Sequence, residues 1–411
     1  MKILWLHQYF ATPKGWGAVR TYEFARRFCS KGHAVDVVCC AGYDASLQRA
    51  RGGIVEVEGV RVFVNGTTYR PHMGFWRRIG SFLWFMAYAL SFVVRRGRRY
   101  DMLIASSGPL TLAIPALIGR WCHRLPFVFE VIDVWPDSAI AAGVLKNPIL
   151  KKWSFTLEKM AYRYASAIVT CSTGMTERVE RKIKAGMVES AIPVTTISNC
   201  SDLEQFVPNA KLRRETRKHF GISDAQTVVL YTGAMGTSNA IDDLLDAIRD
   251  TACDARLVWW LVGDGPRGDE LRATLASVGC HRFFGSLPKE ELVALYLAAD
   301  VNMVTFMHGP LFYENSPNKF FDGIASGLPT VFNRSTWLEP WLKTYGCGIV
   351  CPASDKTGHS PMAEVLFDLA SNVEKRWRMG EGARRLAEEV FNRDKLAKNY
   401  LEILEKVQLK E

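Results

Sequence analysis

Short apolar runs alternate with amphipathic segments along the 411 residues of the chain. Residues 3–6 form one apolar run, residues 34–40 form a second, and apolar positions recur at helical spacing from about residue 19 to residue 30. Runs of this length are typical of buried strands, and a spacing of three to four residues is typical of an amphipathic helix that Gly32 would end. The chain therefore opens with a predicted β-α-β unit.

The same alternation continues to the end of the chain. Further strands are predicted at residues 60–64, 102–105, 127–131, 167–170 and 194–197, and then at 228–232, 257–262, 282–284, 301–304, 329–332 and 348–350. A polar segment from residue 202 to about 223 separates the two series. We therefore predict an α/β protein with a first domain over residues 1–201 and a second over 202–390, both with mostly parallel sheets. Residues 391–411 are expected to form a closing helix that packs back on the first domain.

Charge is distributed unevenly between the two predicted domains. Residues 1–200 hold 27 Lys and Arg against 13 Asp and Glu, a net charge of +14, whereas residues 201–411 hold 25 against 29, a net charge of −4. The first half therefore favours an anionic partner, whether nucleic acid, an acidic membrane face or a pyrophosphate. The ten cysteines form no CxxC pair, so no metal site is expected, and a reducing cytosol without a signal peptide fits best.

The most specific stretch is residues 311–331, LFYENSPNKFFDGIASGLPTV. Seven residues separate Glu314 from Asp322, and Asn318 and Lys319 stand where the predicted helix begins. The N-terminus of a helix attracts phosphate, and an acid farther along accepts hydrogen bonds from ribose hydroxyls in other nucleotide sites. An ordinary capped surface helix is the alternative, and this chemistry alone does not separate the two.

This stretch resembles the signature of retaining glycosyltransferases of family 4, in which two acids seven residues apart precede an E-A-x-A-x-G-x-P-V run. Its SPNKFFD form is similar to the branch that builds O-antigen and capsular sugars. The resemblance implies a GT-B fold, with two Rossmann-like domains facing each other across a cleft, and a UDP-sugar as the favoured donor. It implies that Asp322 holds the donor ribose, that Glu314 contacts the donor sugar or its phosphate, and that Ser316 and Asn318 line the donor site. The sequence differs from the family in having Asp322 in place of Glu, and Asn-Ser-Pro at 315–317 in place of a Gly-rich run.

The turn after the predicted strand at 228–232 contains Gly233 and Gly236, whose backbone could approach a phosphate. Family members place Arg and Lys shortly after the first glycine, but Thr, Ser and Asn stand at 237–239 here. Lys319 is therefore expected to supply the positive charge, as a catalytic residue acting on the leaving pyrophosphate. The GDGP run at 263–266 resembles a structural turn of the family, and Phe284 is expected to contact the base or to belong to the core.

Candidate residues of the first domain lie in two loops. Gly15 and Gly17 stand in the first strand-to-helix loop, where glycine permits close approach to a phosphate or acceptor, although a plain turn fits equally well. Glu130 and Asp133 follow the strand at 127–131, and carboxylates at strand ends suit acid–base work or acceptor hydroxyls. The DVWP run at 133–136 resembles a D-x-W-P run of the O-antigen branch, which implies that Asp133 orients the acceptor, with a capping Asp as the alternative. His7 is expected to be structural. Asn199 and Asp202 resemble the family hinge.

Residues 79–94 are uncharged and bracketed by six arginines, namely Arg77, Arg78, Arg95, Arg96, Arg98 and Arg99. Sixteen residues are short for a bilayer crossing, so an interfacial helix or a buried helix is expected. Together with the resemblance, this predicts a cytoplasmic enzyme, peripheral on the inner face of the membrane, that acts on a polyprenyl-linked acceptor without cofactor or nucleic acid. An NAD-dependent oxidoreductase and a non-enzymatic membrane or nucleic-acid binding module are the alternatives.

Overall fold

The computed structural model describes residues 1–15, 17–42, 44–67, 75–141, 143–187, 192–200, 203–277, 281–352 and 360–411. Contacts divide the chain into two units, one of Met1–Ser198 with Asp394–Glu411 and one of Asn199–Arg393. The sequence placed this boundary at 201/202. Since Asp202 lies outside the described residues, its part in a hinge stays a prediction.

The first unit is built on a sheet that has eight strands within the described ranges, in the order β3-β4-β2-β1-β5-β6-β7-β8. The strands are β1 Lys2–Leu6, β2 Ala34–Cys40, β3 Ile54–Val57, β4 Val60–Asn65, β5 Met102–Ser106, β6 Phe127–Val131, β7 Ala167–Thr170 and β8 Val194–Thr196. All neighbours pair in parallel except β3, which pairs antiparallel with β4. The central strands β5, β6 and β7 are wholly buried, which explains why they are continuous apolar runs in the sequence.

Helices cover both faces of this sheet. They are α1 Arg20–Ser30, α2 Ala45–Arg49, α3 Phe75–Arg96, α4 Ala113–His123, α5 Asp137–Ala141, α6 Pro148–Tyr164 and α7 Thr173–Lys182. The uncharged segment at 79–94 falls inside α3, which buries Phe85 and Ala89 in the core but exposes Leu83 and Trp84. One side of the helix is therefore core, as the buried alternative expected, while contact of the exposed side with lipid stays a prediction. No helix within the described ranges has the length and apolar character needed to cross a membrane.

The second unit is built on a sheet that, in the described part of the chain, is entirely parallel, with the order β11-β10-β9-β12-β13-β14. Its strands are β9 Thr227–Thr232, β10 Leu257–Val262, β11 Arg282–Phe283, β12 Val301–Val304, β13 Thr330–Phe332 and β14 Gly348–Val350. Its helices are α8 Ala210–His219, α9 Ile241–Thr251, α10 Gly268–Ser277, α11 Lys289–Ala298, α12 Pro310–Tyr313, α13 Asn318–Ala325, α14 Glu339–Tyr345, α15 Pro361–Ser371 and α16 Val373–Glu389.

Among the parallel strands, the order changes direction between β1 and β5 in the first sheet and between β9 and β12 in the second. In an open parallel sheet, ligands bind outside the carboxyl ends of the strands at such a switch point. The loops that follow β1 and β9 carry Gly15 and Gly17 in one unit and Gly233 and Gly236 in the other. The fold thus places both predicted glycine loops where ligand sites occur.

The last helix, α17 Arg393–Gln408, packs on the first unit. Its Tyr400 ring is fully buried and lies 5.8 Å from Trp5 of β1 and 5.6 Å from Phe24 of α1, measured between centroids. Phe28 completes this aromatic cluster at 5.7 Å from Tyr400. The residues at the C-terminus therefore complete a core that begins at the N-terminus.

Candidate active site

Lys319 is the second residue of α13 and is only 9% exposed. Its Nζ lies 4.0 Å from the centroid of the Tyr231 ring and 3.4 Å from Asn239 Oδ1. A Cβ atom at Gly233 would lie 3.2 Å from Lys319 Cε, so a residue larger than glycine would crowd the lysine. The structure thus brings together Lys319 and Gly233, which the sequence connected only through a missing positive charge.

The environment of Lys319 changes its acidity. Burial removes its ammonium group from water and lowers its pKa from 10.5 to about 7. Near pH 7 the side chain therefore exchanges easily between the charged and neutral forms. An anion bound beside it would favour the charged form, so this lysine suits a site that receives phosphate.

Two glycine turns are tied together beside this lysine. Gly233 N donates to Val262 O at 2.9 Å, and Met235 N donates to Asp264 O at 2.9 Å. Gly263 has φ +138°, and a Cβ there would lie 1.8 Å from Gly233 O. The GDGP run at 263–266 therefore acts as a structural support that holds the Gly233 turn in place. At Gly236, by contrast, a Cβ would meet nothing within 4 Å, so this end of the turn is open.

Asp322 forms an ion pair that the sequence did not reveal. Its Oδ2 accepts from Lys289 Nζ, and the two side chains are 7% and 12% exposed. Lys289 is the first residue of α11, and its Nζ also lies 5.2 Å from the centroid of the Phe206 ring. In the sequence Lys289 stands in an ordinary first helical turn, 33 positions from Asp322. No local signal marked it as a neighbour of the predicted ribose acid.

Asn302 fixes the first turn of α13 from the neighbouring strand β12. Its Nδ2 donates to Lys319 O at 3.0 Å and to Thr330 Oγ1 at 3.2 Å. A Cβ at Gly323 would lie 2.3 Å from this same Nδ2. The chain therefore has Gly323, where the family run has alanine, because the Asn302 amide occupies that space.

The segment before α13 is held at two points. Asn199 Nδ2 donates to Ser316 O at 2.7 Å, and Trp337 Nε1 donates to Asn315 O at 2.8 Å. Glu314 ends α12 and is buried, whereas Asn318 is exposed at the first position of α13. Hence Ser316 is engaged by a hydrogen bond to its backbone, and Asn318 presents its side chain to solvent at the helix N-terminus.

In the first unit, Asp133 lies in a tight turn after β6. Its carbonyl accepts from Ser107 Oγ at 2.8 Å and from Trp135 N at 2.9 Å, while its side chain is exposed. Ser107 follows β5, so the turn is fixed to the neighbouring strand. Asp133 thus stands at the carboxyl edge of the sheet, where desolvation by the surrounding protein raises the pKa of its carboxyl group. Its role towards an acceptor, or as a capping Asp, stays a prediction.

The loop after β1 is anchored by Asp44, another residue that the sequence did not single out. The buried Asp44 carboxylate accepts from Thr12 N at 2.9 Å and from Ser46 N at 2.8 Å. Gly15 N then donates to Thr12 O at 2.9 Å. Gly15 is therefore held in a turn with Thr12, which Asp44 anchors, and Gly17 follows two residues later.

Two family models match the chain, a Glycosyl transferase 4-like domain over residues 17–199 and a Glycosyl transferases group 1 domain over residues 226–363. The chain belongs to these glycosyltransferases. The probable glycosyltransferase WbjE of Pseudomonas aeruginosa is 24% identical over 67% of this chain and 68% of its own length. The putative teichuronic acid biosynthesis glycosyltransferase TuaC of Bacillus subtilis is 27% identical over 58% of this chain and 59% of its own length.

Solved structures agree on the fold. Anabaena HepE, in a structure with UDP, has a TM-score of 0.71 at 18% identity over 99% of this chain and 100% of its own. Sucrose-phosphate synthase of Thermosynechococcus elongatus has a TM-score of 0.75 at 15% identity over 100% of both chains. The glycosyltransferase therefore has the GT-B fold, with two Rossmann-like domains, as the sequence predicted.

Glu130 of the glycosyltransferase, for which the sequence suggested acid–base work or an acceptor hydroxyl, is instead engaged inside the first unit. Its carboxylate is fully buried and accepts from Arg20 Nε at 3.0 Å and from Ser106 Oγ at 2.7 Å. Arg20 also donates to Ile197 O at 2.8 Å. Glu130 is therefore an internal ion-pair partner that joins α1 to β5 and β6. His7 beside it is buried and neutral, because burial lowers its pKa to about 4.

Phe284 of the glycosyltransferase packs into the core of the second unit. Its ring lies 5.3 Å from Phe220 and 5.9 Å from Trp260, and its backbone N donates to Leu261 O at 2.9 Å. Of the two expectations for this residue, the structure shows the core role, and a contact with the donor base stays a prediction. Among the described residues, no group of three or more His, Cys, Asp and Glu is arranged to hold a metal ion.

Proposed function

We propose that this glycosyltransferase is a retaining enzyme that moves a sugar from a UDP-sugar to a hydroxyl of a lipid-linked glycan during the assembly of a surface polysaccharide. The observation that carries the donor part is the position of Lys319, whose Nζ lies beside the Gly233 turn at the start of α13. A pyrophosphate placed at this helix N-terminus would meet the helix dipole and one ammonium group. The solved structures of HepE with UDP and with UDP-glucose support a uridine nucleotide.

In this proposal each donor contact has a separate role. Asp322 accepts hydrogen bonds from the ribose, and Lys319 with the first turn of α13 neutralises the pyrophosphate. Negative charge on the phosphate oxygen grows as its bond to the sugar C1 breaks, so a positive group fixed in advance lowers the barrier. This arrangement provides the charge that the reaction needs from the protein itself, and we propose that no bound cofactor is required.

Asp133 is proposed to orient the acceptor hydroxyl that forms the new bond to C1. Its carboxylate accepts a hydrogen bond from that hydroxyl and fixes the orientation of the hydroxyl oxygen. The relative TuaC supports an acceptor in surface polysaccharide synthesis, since it is described as a putative teichuronic acid biosynthesis glycosyltransferase. The proposed location is the cytoplasmic face of the membrane, where such acceptors are assembled on polyprenyl carriers.

The experiment is a transfer assay with a panel of UDP- and GDP-sugars against polyprenyl diphosphate-linked saccharides. We expect product only with UDP-sugars. The NMR spectrum of the product should show the anomeric configuration of the donor, and EDTA should leave the activity unchanged. Lys319→Ala should lower kcat by about 100-fold or more, whereas the exposed Lys343→Ala should have no effect. Transfer from GDP-sugars alone, or inversion at C1, would contradict the proposal.

A further inference from the structure

Three helices of the first unit form one layer over its sheet. Helix α4 contacts both α3 and α6, so it lies between them. The inward sides of the three helices belong to one hydrophobic core, which includes Phe85 of α3, Ala116 of α4 and Leu157 of α6. The sequence drew attention to α3 alone, but the structure makes this helix one part of a wider surface.

The outward side of this layer exposes large apolar side chains. Trp84 of α3, Trp121 of α4 and Trp153 of α6 are 67%, 48% and 49% exposed, and Ile149 in the first turn of α6 is 76% exposed. Single exposed apolar residues are common, but aromatic side chains on three adjacent helices mark an interaction surface. Indole rings with one apolar and one polar edge are favoured at the boundary between lipid and water.

The same surface carries an excess of positive charge, although Glu411 lies beside α4 and pairs with Arg120 at 2.6 Å. The sequences of α3 and α4 contain no Asp or Glu, and the one acid of α6, Glu158, is buried and accepts from Lys182 Nζ at 2.6 Å. Exposed basic side chains lie on or beside all three helices, at Arg77, Arg95, Arg124, Lys152, Lys159 and Arg163. Arg96, which the sequence counted among the flanking arginines, instead stacks on Phe63 and Phe92 at 5.2 and 5.0 Å.

We propose that the layer formed by α3, α4 and α6 is the surface by which the enzyme docks on an anionic lipid bilayer. This inference depends on the proposed function in one respect, namely that the acceptor is linked to a lipid. A bilayer satisfies both properties of the surface, because acyl chains accept the apolar side chains and anionic headgroups pair with the basic ones. A second copy of the chain fits less well, since a symmetric contact would place this cationic surface against itself. Nucleic acid offers no partner for Ile149 and its neighbour Leu150.

The layer also borders the predicted acceptor residue. Helix α4 follows β5 and helix α6 follows β6, so both begin at the carboxyl edge of the sheet, where Asp133 lies. The exposed side chains of Ile149, Leu150 and Trp153 are in the first turns of α6. A docked enzyme therefore has Asp133 near the plane of the headgroups, where the hydroxyls of a lipid-linked saccharide are found.

The test is sedimentation of the full chain with vesicles of phosphatidylglycerol and phosphatidylethanolamine, and with vesicles of phosphatidylcholine alone. One variant removes charge (Arg95→Gln, Arg124→Gln, Lys152→Gln), and another removes indoles (Trp84→Ser, Trp153→Ser). A matched control places the same kinds of change on the second unit (Lys343→Gln, Arg378→Gln, Trp377→Ser). Each lost basic residue should lower the partition coefficient about fivefold at low salt, so the charge variant should bind about 100-fold more weakly.

We expect the unmodified enzyme and the control to bind the anionic vesicles, and both surface variants to stay in the supernatant. Failure of the unmodified enzyme to bind, or unchanged binding of the variants, would overturn the proposal. So would a dimer that the same variants dissociate, or a complex with nucleic acid that they abolish. Calorimetric binding of UDP and transfer to a short soluble acceptor are measured in parallel. If the unmodified enzyme neither binds UDP nor transfers sugar to the soluble acceptor, that result would contradict the proposed function but not the docking surface.

Discussion

The ammonium nitrogen of Lys319 lies 4.0 Å from the centroid of the Tyr231 ring, in a site that excludes most water. The aromatic face stabilises the positive charge, and Asn239 Oδ1 accepts from the same nitrogen at 3.4 Å. Burial acts in the opposite direction and lowers the pKa to about 7. Without a bound anion, the charged and neutral forms of this lysine are therefore similarly populated near pH 7.

From this we expect UDP binding to be coupled to proton uptake. Lys319 is mostly charged below pH 7 and mostly neutral above it, and bound pyrophosphate favours the charged form. Affinity for UDP should therefore fall as the pH rises above 7, by up to about tenfold per pH unit. Calorimetry at pH 8 in two buffers of different ionisation enthalpy measures the proton taken up. Lys319→Met should abolish the uptake, and equal uptake in this variant would assign it to another group.

The same lysine should cost stability. Its pKa in the folded state, about 7, lies below the ordinary value of 10.5, so between these values the unfolded chain binds more protons than the folded one. The cost is therefore fully present at pH 7 and below, and disappears as the pH rises towards 10.5. Lys319→Met should raise the free energy of unfolding by about 1–4 kcal/mol at pH 6, and by less at pH 9. Urea denaturation at the two pH values checks this, and a destabilised variant would show that the lysine contributes to the fold.

The effects of substituting Asp322 and Lys289 on stability should be coupled, because each side chain neutralises the buried charge of the other. Asp322→Ala removes the proposed ribose acceptor and should weaken UDP binding by about 1.5–3 kcal/mol. Lys289→Met leaves the carboxylate without its cation and should destabilise the fold by about 3–5 kcal/mol. The double variant Asp322→Ala with Lys289→Met should recover most of that stability without recovering UDP affinity. Additive losses in a double-mutant cycle would contradict the coupling.

Gly323 offers a test of packing beside the site. Gly323→Ala introduces the residue of the family pattern, yet its Cβ would lie 2.3 Å from Asn302 Nδ2. The clash should cost about 1–3 kcal/mol and displace the first turn of α13, which Asn302 supports. Adding Asn302→Ser should relieve the clash and restore part of the stability, as thermal unfolding would show. Tolerance of Gly323→Ala on its own would mean that Asn302 has room to move.

The sequence predicted most of the strands because parallel strands buried on both faces are continuous apolar runs. It did not predict β3, Ile54–Val57, which is short, has no buried residue and pairs only with β4 at the sheet edge. At the site, Asp322 and Lys319 were singled out through a local signature, and their roles stay predictions. The buried ion pair of Glu130 was not predicted, because the sequence at the end of a strand is the same whether the carboxylate faces solvent or pairs with Arg20. Lys289 and Asn302 were missed since their roles come from contacts distant in sequence.

Because α17 belongs to the first unit, two segments that are far apart in the sequence build the same core. The polypeptide passes from one unit to the other near residue 198 and again near residue 393. A fragment that stops at Ser198 would contain all eight described strands of the first sheet, yet it would lack Tyr400, whose ring packs on Trp5, Phe24 and Phe28. Loss of residues 394–411 would thus uncover the core around β1 and α1, and during synthesis the first unit can finish folding only after the second unit has been made.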